Sequence, residues 1–328
     1  MPGKDVTHAI RIHETGGPEV MKWEPVEVGT PGPGEVRLRH TAVGLNFIDV
    51  YYRSGVYSAP LPLILGREGA GVVEALGPDV TSLKVGDRVA YASIIGSYSE
   101  ARLIKAAQLV KLPDGIDDRT AAACTLQGMT ARYLIREVFK VKAGDTILIH
   151  AAAGGVGLIL SQWAASLGAT VIGTVSSDEK AAVAKAHGCH HPIIYTREDF
   201  HARVMEITDG KKLPVVYDSV GKDTFLKSLD CLQRRGMMVV FGQSSGLIPP
   251  FEINLLAQKG SIVLTRAVLP DFISNRTDLE TTANDLYGMV ASGAVKIAIN
   301  QSYALKDAVQ AHRDLEARKT TGSTIFTV

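Results

Sequence analysis

Cysteine is scarce in this chain: Cys124, Cys189 and Cys231 are the only three in 328 residues. Their odd number and wide spacing leave no disulfide framework and no C-x-x-C zinc site, and the pattern fits a reducing cytoplasm. An excess of one charge is missing too. Lys plus Arg number 35 and Asp plus Glu 34, for a net charge of +1, which gives no support for nucleic acid as the main partner. No apolar run reaches the ~18 residues of a membrane span. The opening MPGKDVTHAIRIHE has no apolar h-region, so neither a membrane partner nor a secretory leader is expected. Lipidation motifs, low-complexity blocks and internal repeats are lacking as well. What is present is ample core-forming material, 46% hydrophobic against 21% charged. The length suits two domains of ~150 residues each. Glycine is plentiful at 32 residues, and its placement carries information.

The first ~115 residues read as short strands separated by Gly/Pro clusters such as PGPGE. Val36 to Val43, Gly71 to Leu76, Asp87 to Ala92 and Tyr98 to Ile104 are strand-like. Asn46 to Ser54 is a short helix or turn rich in aromatics, and Asp117 to Glu137 is helical. At Gly144 the pattern changes. Strands 146–151, 170–175, 192–195, 214–218, 237–242 and 261–265 alternate with helices, as a parallel doubly wound sheet requires. The helices are LILSQWAASLG, DEKAAVAKAHG, EDFHARVMEITDG and KDTFLKSLDCLQRRG. Gly168, Gly188, Gly210 and Gly236 stand where left-handed helix caps are expected. After about Ala267 the alternation stops. Two amphipathic helices, near 278–292 and 305–318, and a last strand STIFTV return to the first domain. The expected architecture is a Rossmann sheet over 126–266 inserted into a β-rich domain made of 1–125 and 267–328.

The most specific local motif is H-A-A-A-G-G-V-G, residues 150–157, read as Ala152-x-Gly154-x-x-Gly157. A tight turn after a strand, close approach of backbone to a pyrophosphate and close helix–strand packing all call for small residues at this spacing. The helix that follows presents N–H groups and a positive dipole end to phosphate. An NAD site wants a carboxylate at the end of the second strand. Here that strand ends Gly173-Thr174-Val175-Ser176-Ser177-Asp178-Glu179-Lys180. Asp178 competes for that role, although Ser177-Asp178 reads better as a helix N-cap and first turn. Lys180 and Ser177 suit a 2′-phosphate, so NADPH is the expected cofactor. An ordinary solvated helix lysine is the alternative for Lys180.

A small β-rich domain, a Rossmann insertion, a return and the A-A-x-G-G-V-G loop together resemble the medium-chain dehydrogenase/reductase superfamily. Its zinc alcohol dehydrogenases carry an early Cys, a Gly-His-Glu and a later Cys as catalytic ligands. This sequence has Asn46, Gly66-Arg67-Glu68 and Gln127 at or near those positions, and it lacks the four closely spaced cysteines of the structural zinc lobe. The zinc reading therefore fails residue by residue, and no metal is expected. His187, Cys189, His190 and His191 cluster between a helix and the third strand, where a solvated loop is the simpler reading.

Four stretches are similar to the zinc-independent quinone oxidoreductases, the zeta-crystallin-like branch, and above all to its bacterial NADPH:quinone reductases. They are Asn46-Phe-Ile-Asp49-Val-Tyr51-Tyr-Arg53-Ser-Gly55, the AAAGGVG loop, Tyr217-Asp218-Ser219-Val220-Gly221, and Leu232-Gln-Arg-Arg-Gly236 leading into Phe241-Gly242. The resemblance spans the chain and implies a GroES-like catalytic domain around the Rossmann insertion. It implies an active site in the cleft between domains, with Asn46 and Tyr51 near the nicotinamide and a quinone pocket and Asp49 close by. Thr130 would contact the cofactor, and Gly154, Gly155 and Val156 would hold the pyrophosphate. Ser177, Lys180, Tyr195 and Arg318 would surround the 2′-phosphate. Ser219, Phe241, Gly242 and Ser244 would border the nicotinamide half. Each has a plainer reading: Tyr195 as an exposed strand-end residue, Asp218 and Ser219 as turn caps, Arg318 as a helix-end arginine, and Asp49 as the i,i+4 partner of Arg53.

The reaction expected is hydride or electron transfer from NADPH to a small quinone. An activated acceptor needs no metal to polarise it, and Tyr51 or solvent would supply the proton. Reduction of activated C=C bonds in enones or alkenals on the same fold, or a crystallin-like or RNA-binding role, are the alternatives. By analogy a homodimer is expected, paired through strand SIVLT.

Overall fold

The computed structural model describes residues 6–328. Within them the chain forms two compact units. One takes the chain up to Leu126 together with Ile273–Ala291 and Ile299–Val328. The other takes Gln127–Phe272 with Ser292–Ala298.

The first unit is built on alternation. In Glu35–Leu45, Val36, Leu38, His40 and Ala42 are buried while Arg37, Arg39 and Thr41 are not, the period-two pattern of a sheet with one covered face. Chain order begins β1 Val6–Ile12, β2 Lys22–Glu27, β3 Glu35–Leu45, α1 Phe47–Arg53, β4 Leu63–Ile64 and β5 Glu68–Leu76. It continues with β6 Arg88–Ala92, β7 Ala101–Lys105, β8 Val110–Lys111 and α2 Asp118–Tyr133. The strand expected from Tyr98 starts only at Ala101. Tyr98 lies ahead of it, its backbone bonded to Ile10 and Leu65 and its ring fully buried.

The second unit alternates strand and helix: β9 Thr146–Ile149, α3 Gly155–Ser166, β10 Thr170–Val175, α4 Asp178–Ala186, β11 His191–Ile194 and α5 Phe200–Ile207. Then come β12 Leu213–Asp218, α6 Phe225–Cys231, β13 Leu232–Val240, α7 Asn254–Gln258, β14 Val263–Arg266 and α8 Leu269–Phe272. The six strands pair in parallel in the order β11-β10-β9-β12-β13-β14. This is the doubly wound order whose reversal falls between the first and fourth strands, here β9 and β12. Leu148, Ile172, Val216 and Met238 from the sheet pack with Phe200, Val204, Phe225 and Leu229 from the helices.

Gly168, Gly188 and Gly210 take positive φ as helix caps do. Gly236 does not. The helix expected to run through LQRRG ends at Cys231, and Leu232 already pairs with Leu213. The register then jumps from Leu213–Leu232 to Val215–Met237, so Gln233 to Gly236 form an irregular excursion, with Arg235 in the left-handed region at φ 62°. Gly236 is needed for closeness instead: a Cβ there would lie 3.1 Å from the Leu213 carbonyl oxygen. The charged Gln-Arg-Arg run copies a helix terminus in sequence, which is why the local pattern misleads.

The first unit is completed by α9 Arg276–Ala291, β15 Ile299–Ala304, α10 Ala308–Glu316 and β16 Ser323–Thr327. β15 is a strand the sequence reading missed. β16 lies antiparallel to β3, with Thr324 opposite Leu45. The end of the sequence thus sits beside the strand that leads into α1, and Ala308 and Ala311 of α10 share a core with Val43, Leu45, Tyr98 and Phe326.

Candidate functional site

In the second unit the expected cofactor residues follow the carboxyl ends of the strands, where open α/β sheets bind ligands. After β9 the buried His150 ring is fixed between Thr174 Oγ1 at 2.9 Å and Ser228 Oγ at 2.8 Å. Ala151 then turns the chain at φ 54°. Gly154 caps α3 without a side-chain bond, and the first-turn N–H groups of Gly155, Val156 and Gly157 have no partner within the helix. A Cβ on Gly157 would collide with the Ala151 carbonyl oxygen, and one on Gly155 with the Gln127 amide. Loop and helix therefore close tightly only because these positions lack side chains. The result is a phosphate cradle of bare backbone donors at a helix N-terminus, which fits a dinucleotide.

At the ends of β10 and β11, Ser177 is the N-cap of α4, its Oγ accepting from Lys180 N at 3.3 Å. Asp178 is engaged by Arg197 through two bonds of 2.6 and 2.7 Å, and that bond holds its carboxyl below the ordinary range. Tyr195 follows β11, its N–H donating to Val175 O at 3.0 Å, and its side chain is exposed. Ser177, Lys180 and Tyr195 are thus neighbours by backbone. At the ends of β12 and β13, Asp218 Oδ1 accepts from the backbone of Val220 and Gly221 and from Thr224, so Asp218 is a turn cap. Ser244 N donates to Ser219 O at 3.1 Å, Phe241 N to Asp218 O at 2.9 Å, and a Cβ on Gly242 would lie 2.6 Å from Ser219 O. Ser219, Phe241, Gly242 and Ser244 form one turn cluster. Thr130 is buried on α2.

In the first unit Asn46 is the N-cap of α1. Its N–H donates to Asp49 Oδ2 at 2.9 Å and its amide Nδ2 to Glu68 Oε2 at 2.7 Å. Glu68 Oε1 accepts from Leu126 N at 2.7 Å. Burial pushes the Asp49 carboxyl up to about 7 and the Glu68 carboxyl up to about 8. Tyr51 is buried against Phe47 and Tyr57. The i,i+4 pairing of Asp49 with Arg53 does not form. Asp49 takes donors from Asn46 and Tyr98, and Arg53 turns to Glu316, with Nη1 and Nη2 donating at 2.7 and 2.8 Å. The helix-start carboxylate is captured by the cap backbone beside it, leaving the arginine to a residue on α10. Arg318 follows α10 at φ 59°, exposed.

Sequence reading gave no role to Glu68, Tyr98 or His312. Glu68 was visible in the Gly66-Arg67-Glu68 stretch. Tyr98 and His312 carry no local signal, since their partners are 49 and 214 residues away. Arg67 bonds Tyr52 Oη at 2.7 Å and Ser93 O at 2.5 Å. His187 bonds Val183 O, and His190 accepts from Val171 N. Among the described residues no group of three or more His, Cys, Asp or Glu is placed to hold a metal ion.

The alcohol dehydrogenase GroES-like domain family matches residues 32–114 and the zinc-binding dehydrogenase family residues 155–284. A Pseudomonas aeruginosa quinone oxidoreductase is 53% identical over 319 residues, 97% of this chain and 98% of the relative. A Burkholderia sp 2-haloacrylate reductase is 46% identical over 327 residues, 97% of this chain and 98% of the relative. The crystal structure of Escherichia coli quinone oxidoreductase complexed with NADPH superposes with a TM-score of 0.96 at 46% identity, covering 98% of this chain and all of that one, 100%.

Proposed function

The chain belongs to the medium-chain dehydrogenase/reductase superfamily, in its zinc-independent quinone oxidoreductase branch, and on that premise we propose that it is an NADPH-dependent quinone reductase. The observation that carries the reading is the backbone cradle from Ala151 to Gly157 at the switch point of the parallel sheet, in a chain matching an NADPH-complexed structure over 98% of its length.

When bound, NADPH supplies a hydride from its nicotinamide ring. Gly154, Gly155 and Val156 hold the pyrophosphate. Ser177, Lys180 and Tyr195 take the 2′-phosphate. Thr130, Ser219, Phe241, Gly242 and Ser244 receive the nicotinamide half. Asn46 and Tyr51 orient the acceptor, and Asp49 supports Asn46. Tyr51 or solvent provides the proton that completes the hydroquinone. The acceptor's own oxidising strength drives the step, so orientation is the larger part of what these residues contribute. The engagement of Asp178 by Arg197 supports Lys180 and Ser177 as the groups that read the ribose. Lys180→Ala should weaken NADPH by about tenfold and leave NADH unchanged in fluorescence titration. Equal loss for both cofactors contradicts the 2′-phosphate role.

A second reading, reduction of an activated C=C bond, is favoured by the similarity to the 2-haloacrylate reductase. NADPH oxidation against a panel of quinones, enones and 2-haloacrylate separates the two. The proposal includes a cytoplasmic homodimer. The pairing of two copies is supported by β14, an edge strand of the second unit's sheet whose Val263 is exposed. No described helix is long and apolar enough to cross a membrane.

A further inference from the structure

A buried polar chain runs from the start of α1 to α10. Asn46 N donates to Asp49 Oδ2 at 2.9 Å, and the Tyr98 hydroxyl donates to the same oxygen at 3.0 Å. Tyr98 Oη meets His312 Nε2 at 3.2 Å, and His312 Nδ1 meets Arg53 Nη1 at 3.2 Å. Arg53 is closed by Glu316. Asp49, Arg53, Tyr98 and His312 are all at most 1% exposed.

The direction of the bonds to His312 is fixed by chemistry. A guanidinium has only donors, so His312 Nδ1 accepts from Arg53. The neutral ring then carries its proton on Nε2 and donates it to Tyr98 Oη. Tyr98 gives its own proton to Asp49. Burial and the Arg53 charge hold His312 down at about 3, so this tautomer persists at neutral pH. Asp49 Oδ1 has no hydrogen-bond partner among the described residues, so its hold on the Asn46 backbone rests on Oδ2 alone, the oxygen that Tyr98 steers. The chain cannot relay protons from the surface, because its outer donor is an arginine that does not deprotonate. Fixing geometry is what remains.

We propose that His312 is a positioning residue for the reaction, setting the polarity of a hydrogen-bond chain through Tyr98 and Asp49 that holds Asn46 in place. This rests on the reading of Asn46 as the group that orients the acceptor. The bonds from Arg53 to His312 and Glu316 end on α10, 259 and 263 residues along the sequence. The C-terminal helix thereby becomes part of the acceptor site without touching substrate.

The test uses the full chain with saturating NADPH and varied 1,4-naphthoquinone, alongside NADPH titration by fluorescence. His312→Leu removes both the acceptor and the donor. It should lower kcat about tenfold or more and leave NADPH affinity unchanged. His312→Gln can accept from Arg53 and donate to Tyr98, and it should restore kcat to within about threefold of the wild type. A purely structural role would lower both variants in proportion to lost stability. Wild-type kcat in the leucine variant, or equal loss in both, overturns the proposal. If the leucine variant does not fold, Tyr98→Phe removes the same donor from Asp49. It should give the same drop in kcat at unchanged NADPH affinity, and undiminished turnover overturns the proposal. Failure of the wild type to reduce quinone contradicts the functional reading instead, and the variants are then compared on the acceptor the wild type does reduce.

Discussion

The second unit offers its candidate ligand surface as backbone: a left-handed Ala151, glycines at 154, 155 and 157, and strand-end turns closed by main-chain bonds. The first unit offers side chains held by other side chains, Asn46 by Glu68 and Asp49 by Tyr98, with His312 and Arg53 behind them. A backbone cradle tolerates most outward changes and fails when a Cβ is added. A side-chain network tolerates small volume changes and fails when a donor is replaced by a group that cannot donate.

The largest effect expected from this contrast is at the cradle. Gly157→Val puts branched bulk against the Ala151 carbonyl and should cost about 100-fold in NADPH affinity, or about 2.7 kcal/mol, by calorimetric titration. Unchanged affinity would show that the loop and helix need not pack so closely. Next comes the network. His312 sits at about 3 in the folded chain against an ordinary 6.5, so the unfolded chain binds a proton first as pH falls. Stability should therefore be lost on acidification below about 6.5, amounting to about 2 kcal/mol between pH 7 and pH 5 for this group. His312→Gln does not titrate, and urea unfolding at the two pH values should show a dependence shallower by that amount. Equal slopes would mean His312 is not held neutral. The raised carboxyls of Asp49 and Glu68 act in the opposite sense, favouring the folded chain at low pH, and they are common to both proteins. The smallest effect is at Tyr51. Tyr51→Phe keeps the ring that packs on Phe47 and Tyr57 and should lower kcat by no more than about threefold. Abolished turnover with intact NADPH binding would make its hydroxyl indispensable.

The same contrast explains what the sequence revealed. Cofactor-loop chemistry is local, so H-A-A-A-G-G-V-G, its flanking strand and helix, and the N-cap Ser177 were legible from spacing. The six parallel strands were legible from alternation. At Leu232 local pattern failed, because a Gln-Arg-Arg run in an irregular strand looks like a helix end until its pairing with β12 is known. The pairing of Asp49 with Arg53 failed for the reason helical spacing often does: i,i+4 proximity permits a bond but does not rank it against a nearer backbone donor. Tyr98 and His312 were invisible because contacts between distant segments, not any motif, bring Tyr98 to Asp49 and His312 to Tyr98. Glu68 was seen only as a remnant of a metal motif, and its bond to Asn46 gives it a different use.

The most direct test of NADPH-dependent quinone reduction is an anaerobic reaction of the wild-type protein with NADPH and 1,4-naphthoquinone, following both NADPH loss and hydroquinone formation. One hydroquinone per NADPH consumed is expected, with NADH a much poorer donor. Absence of quinone-dependent NADPH oxidation, while an enone or 2-haloacrylate is turned over, would contradict it.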